Sequence, residues 1–248
     1  PLMQLTKFLI GTAVALATVT SPVAAKKKDK EAASAPKSSF NKDPYPSTYQ
    51  PYASVPTAVT NVIVYDGEGA KFQNATVYFR DGKVEGIETG GAVKDGYTVI
   101  DGTGKWVTPG IIDVHSHLGD YPSPGVDADS DGNEATGAVR PEVWAEHSVW
   151  PQDPGFSRAL ANGGVTTLQI LPGSANLMGG RTVTLKNVAS RTVQGMKFPG
   201  APYGLKMACG ENPKRVYGSK GQMPATRMGN MAVNRQTWAR AVEYKRKL

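Results

Sequence analysis

Two of the chain's three histidines stand two residues apart in Asp113-Val114-His115-Ser116-His117, behind the turn pair Pro109-Gly110 and the apolar Ile111-Ile112. Side chains alternate faces along a strand, so Asp113, His115 and His117 would share one face while Ile112, Val114 and Ser116 take the other. Two imidazoles so placed can reach one small divalent cation. The competing reading is a pair of ordinary core or surface histidines, and the concentration of a scarce residue type in one spot favours ligation. Asp113 is expected to brace the strand or orient a ligand rather than bind the cation.

Other residues could surround such a centre. The glycine-rich stretch Pro172 to Asn176, followed by Gly179-Gly180, can offer backbone N–H groups, Ser174 and the Asn176 amide to a substrate carboxylate, or serve only as a tight turn. His147, in the aromatic stretch Trp144 to Trp150, is a candidate gate or substrate contact without ligand spacing of its own. Lys214 and Arg215 can pair with an acidic substrate, although solvated charges are the commoner case. Asp127, Asp129, Asp131 and Gly132 resemble a calcium loop, but the twelfth position is Ala138 where a bidentate Glu belongs, so a solvated acidic loop is expected.

These residues need a scaffold. A chain of 248 residues with 40% hydrophobic and 20% charged residues is globular in composition. The net charge of +7 gathers largely in the N-terminal third and at the C-terminal end, with no nucleic-acid motif, and reads as a surface property. The single cysteine, Cys209, excludes an intrachain disulfide and is expected to pack inside a strand. Residues 1–25 have the layout of a bacterial signal peptide: Lys7, an apolar run from Phe8 to Val19, then small residues at Val23 and Ala25. Residues 26–55 are rich in Lys, Ser and Pro and read as a flexible linker, with Tyr45, Tyr49 and Tyr52 able to pin its end. Residues 56–108 alternate as short strands, with Asp81-Gly82 as a hairpin turn, and read as a small β-sandwich. Past Gly110 the rhythm becomes strand, loop, helix. Asp153 and Pro154 open a helix that ends at Asn162-Gly163-Gly164, strands follow at Val165 to Leu171 and Leu205 to Cys209, and a last helix runs from about Ala232 to Leu248.

The motifs narrow further in combination. Thr60 to Gly67, Asp81 to Ile87, Val99 to Gly104 and Pro109-Gly110-Ile111-Ile112-Asp113-x-His115-x-His117 together resemble the N-terminal half of the amidohydrolase superfamily. Pro172 to Asn176, Gly179-Gly180 and Gly204 to Arg215 are similar to its imidazolonepropionase-related, prolidase-like branch. The resemblance spans roughly residues 56 to 248. It implies an α/β fold, a (β/α)8 TIM-like barrel of which residues 109–248 form the first part, beside the β-sandwich. A complete barrel takes about 250 residues and about 140 follow Gly110, so an N-terminal, inactive fragment is expected.

The resemblance further implies a metal-dependent hydrolase of carbon–nitrogen bonds, acting on a small-molecule amide, dipeptide or cyclic amide. One or two divalent ions, zinc first, would be held by His115, His117 and a carboxylate or carboxylated lysine from a middle strand. Glu211 fits that role by position and Lys206 by chemistry, with Glu211 favoured because it lies at the strand's end. The metal would make a water nucleophilic. The remaining histidines and the catalytic Asp would lie beyond Leu248, so no catalytic residue is assigned within the chain. The expected setting is the periplasm or secretion, without nucleic acid or a membrane anchor, and self-association is left open. A different class, a non-catalytic exported module that binds a ligand or partner, would instead fold cooperatively without exposed apolar strands.

Overall fold

A computed structural model describes residues 41–248. The signal-peptide expectation and the first part of the linker fall outside these residues.

Alternation of small apolar and polar residues makes a first sheet. β1 (Thr57–Tyr65) buries Ala58, Thr60, Val62 and Val64 on one face. It pairs antiparallel with β2 (Lys71–Arg80), which pairs antiparallel with β3 (Lys83–Thr89). Asp81 and Gly82 both adopt positive φ in the two-residue turn between them, the backbone an Asp-Gly hairpin requires. On its other edge β1 pairs in parallel with β4 (Thr98–Asp101) and then β5 (Trp106–Val107). Val62, Val64, Ala75 and Val77 form the core under this sheet. Among the described residues these strands form a single five-stranded sheet.

β6 (Ile111–Ser116) begins the second part. It pairs in parallel with β7 (Val165–Ile170), and α1 (Pro154–Gly163) connects them as a β-α-β unit. Asp153 caps α1 through Gly155 N–H with Pro154 in the first turn, and Gly164, at positive φ, ends it. β8 (Met178–Arg181) leads into β9 (Val183–Lys186), which pairs antiparallel with β7. α2 (Val193–Met196) follows, and β10 (Leu205–Met207) pairs antiparallel with β8. Phe156 from α1 packs with Leu168, Ile170, Val183, Leu185 and Met196 into the second core. The class is mixed α/β, as the alternation of strands and helices indicated. A closed barrel does not form among the described residues, since only β6 and β7 of the second part run parallel.

The chain ends in α3 (Glu211–Gly218) and α4 (Arg227–Lys247). α4 starts earlier than the periodicity indicated because Thr226 caps it by accepting from Gly229 N–H. Cys209 follows β10 and is exposed, not packed inside a strand.

Residues 41–56 carry no helix or strand but are tied down, unlike the flexible linker expected there. The Lys197 ammonium meets the Asp43 carboxylate at 2.7 Å and the Tyr45 carbonyl at 2.6 Å. It also meets the Glu146 carboxylate at 3.0 Å and bonds the Tyr203 hydroxyl. Burial opposes the charge, but these partners outweigh it and hold the ammonium's pKa up at about 12. Tyr52 donates to the Ala189 carbonyl, and Thr48 N–H to the Gln194 carbonyl.

Candidate metal centre

β6 starts where Gly110 lies against Thr166. A Cβ on that glycine would stand 2.1 Å from the threonine hydroxyl, so only glycine lets the two strands come together there. From this start the alternation brings His115 and His117 side by side, their ring centroids 5.2 Å apart and their planes at 79°. Asp113 turns back on the strand and accepts from the His115 backbone N–H at 3.0 Å. Beyond β6, the His117 Nδ1 lies 2.7 Å from the Leu171 carbonyl oxygen. A carbonyl only accepts, so Nδ1 carries the proton and Nε2 presents a lone pair. Burial lowers the pKa of His117, opposed by that carbonyl and reinforced by Lys206 and His115.

Lys206 completes the cluster from β10. Its Nζ stands 3.2 Å from His115 Nε2, and the residue is 6% exposed. On the facing strand β8, a Cβ on Gly180 would lie 2.4 Å from the Val143 carbonyl, so that position takes only glycine, and Gly179 packs beside the Lys206 side chain. Burial lowers the Lys206 pKa, which favours a neutral amine beside the imidazole.

Glu211 does not join this group. It is the first residue of α3, and its carboxylate pairs with Arg215 at 3.1 Å in an exposed i,i+4 bridge. Among the described residues no three His, Cys, Asp or Glu side chains gather as a metal-binding group. The order of preference read from the sequence is therefore reversed: Lys206, not Glu211, stands with the histidines.

The proposed substrate contacts separate. Ser174 lines a cleft of about 310 Å³ with His117, Tyr121, Asn212 and Arg215, and its hydroxyl accepts from the Asn212 amide at 2.6 Å. Asn176 is fully buried and directs its NH₂ to the carbonyls of Glu134 and Gly137 and to the Tyr217 hydroxyl, so its N–H groups brace the fold, while its buried Oδ1 has no partner. His147 stacks on Trp144 with planes 3° apart and lines a different cleft, of about 460 Å³, beside Asp131, Glu134 and Glu142. Tyr121 was not foreseen. Its ring meets His117 edge-on at 5.9 Å, and it lies in an aperiodic loop where only the folded chain shows the contact.

No protein-family model matches the chain. It is 35% identical over 174 residues to the amidohydrolase tasK of Hapsidospora irregularis, across 66% of this chain and 18% of that protein. It is 28% identical over 94 residues to a 5'-deoxyadenosine deaminase of Methanosphaera stadtmanae, across 38% of this chain and 20% of that protein. Among solved structures, an amidohydrolase from Thermotoga maritima MSB8 is similar with a TM-score of 0.71 at 41% identity, across 77% of this chain and 49% of the other. The chain thus spans from under a fifth to about half the length of these relatives. With motifs, strand-end histidines and similarity in agreement, the chain belongs to the amidohydrolase superfamily.

Proposed function

We propose that this chain is part of a metal-dependent hydrolase of carbon–nitrogen bonds whose cation is held by His115, His117 and a carboxylated Lys206. The observation that carries the reading is the Lys206 amine 3.2 Å from His115 Nε2. A lysine left as an ammonium would repel a cation, so the donor set fits a metal only if the nitrogen changes charge. A neutral amine does so by adding carbon dioxide, losing one proton and gaining a carbamate: an anionic oxygen donor where Glu211 supplies none. With that change the set is two imidazoles and a carboxylate-like group, which suits zinc among other first-row divalent ions.

When bound, such a cation supplies Lewis acidity, which polarises an amide carbonyl and makes water nucleophilic near neutral pH. The chain's own residues set the geometry. The Leu171 carbonyl holds the His117 ring with Nε2 available, Asp113 fixes the backbone at His115, and Ser174 and Arg215 line the cleft next to His117. We assign the chain to the imidazolonepropionase-related branch on the residues 172–176, 179–180 and 204–215. The β6-α1-β7 unit is read as the opening of a barrel whose later strands supply the remaining ligands and the proton-shuttling carboxylate of the whole protein. Export, read from residues 3–25, belongs to the same proposal, and fractionation of cells making the full chain tests it.

The experiment is native mass spectrometry with zinc titration. The parent chain is expected to carry a carbamate-mass adduct confined to Lys206 and to bind zinc. Lys206→Met is expected to lose the adduct and weaken zinc binding by at least about ten-fold, in line with loss of a ligand-shell group. Zinc binding unchanged in Lys206→Met, or undisturbed by His115→Ala, would remove the assignment.

A further inference from the structure

We propose that Asp153, besides capping α1, is the positioning residue that aims the His117 imidazole. The inference rests on reading His117 as a metal ligand. Directly after His117 the chain makes a tight turn, in which Asp120 N–H donates to the His117 carbonyl at 3.1 Å and Gly119 takes φ +83°. Positive φ at the third position is the mark of a type II turn.

Both polar backbone groups of Gly119 are held from one place. Its N–H donates to Asp153 Oδ2 at 3.0 Å, and its carbonyl accepts from Trp150 N–H at 2.9 Å. Asp153 Oδ1 meanwhile accepts from Ser123 N–H at 3.2 Å and from Gly155 N–H at 2.9 Å. The carboxylate is 3% exposed and has no cationic partner among the described ion pairs; its contacts are these three N–H groups, two on the loop and one on the helix. It therefore clamps both ends of the loop 119–123, which carries Tyr121 against His117. A free turn would let the His117 ring swing off the Leu171 carbonyl, and Nε2 would lose its aim.

The two oxygens divide the two roles, so one substitution separates them. Asparagine caps helices as well as aspartate. In Asp153→Asn the amide oxygen can stay on Gly155 and Ser123, but the NH₂ then faces the Gly119 N–H, donor against donor. The test compares the parent chain, Asp153→Asn and Ala161→Gly, which weakens α1 at an exposed position away from the loop. Three readouts apply: the His117 ring tautomer by nitrogen NMR without metal, amide exchange at Gly119 and Asp120, and zinc affinity.

Asp153→Asn is expected to mix the His117 tautomers, speed exchange at Gly119 and Asp120, and weaken zinc binding about ten-fold, with helix content kept. Ala161→Gly is expected to lower the melting temperature and leave tautomer and affinity as in the parent. A parent-like tautomer population in Asp153→Asn would overturn the inference, and so would an equal loss in Ala161→Gly. If the parent chain binds no zinc, the metal reading fails, and the tautomer and exchange comparison still decides the role of Asp153.

Discussion

Asp120 illustrates what a single side chain costs near such a centre. It is fully buried, one oxygen accepts from the Ser148 hydroxyl at 3.0 Å, and the other has no partner. Burial pushes its carboxyl up to about 7, opposed by the Ser148 bond and aided by the charge of Asp131. In the unfolded chain it ionises near an ordinary aspartate value of about 4. Between these values the folded state holds the proton that the unfolded state releases, so stability falls as pH rises from about 4 to about 7 and then levels. The component is of order 2–4 kcal/mol. Asp120→Asn is expected to flatten thermal melts across that window and to be more stable than the parent at about pH 8, but not at about pH 4. Parallel profiles for the two proteins would remove this account. Single residues were also where sequence reasoning reached least far. His115 and His117 are adjacent on one strand, so alternation alone put them together. Lys206 lies 91 positions on; its chemistry made it a candidate, but only the pairing of β8 with β10, which no local pattern records, ranks it above Glu211.

Among the elements, those with strong local chemistry matched their reading. The Asp81-Gly82 hairpin and the capped helix α1 follow from turn and cap residues that act within a few positions. α3 was missed because its N-cap residue, Gly210, gives no side-chain cap. As a result Glu211, read as a strand-end ligand, became a helix-start residue paired to Arg215. The turn after β6 permits a sharper statement. A methyl group on Gly119 would lie 2.8 Å from Val149 and 3.0 Å from the Trp150 nitrogen, at a φ that disfavours side chains. Gly119→Ala is expected to destabilise by about 2–4 kcal/mol from strain and overpacking together. Urea unfolding checks it, and a variant within about 0.5 kcal/mol of the parent would contradict the turn's rigidity.

At the scale of the molecule, apolar surface is unevenly covered. On β6, Ile112 is 65% and Val114 is 69% exposed, with Val99, Ile100 and Trp106 also open on β4 and β5. Exposed apolar side chains in this number promote association. The 248-residue chain is expected to bind hydrophobic dyes and to scatter light increasingly with concentration. The double substitution Ile112→Thr and Val114→Thr is expected to reduce both. A chain that stays monomeric and dye-free at all concentrations would favour a self-sufficient module over a hydrolase part. The α/β class was legible because strand and helix periods differ, whereas barrel closure depends on pairings across the molecule that these residues do not form among themselves.

The grip of Lys197 on Asp43 and Tyr45 has a bearing on how far the chain can be shortened from its N-terminal side. A chain shortened to begin at residue 43 keeps both of these bonds. A cut that leaves Thr57 as the first residue strips an ammonium and a carboxylate of their cover and admits water beside Glu146. Such a product is expected to lose roughly 2 kcal/mol and to melt about 4–8 °C lower. Truncation from the N-terminal side thus meets a boundary set by buried charges, and melting curves of successively shortened chains would locate it.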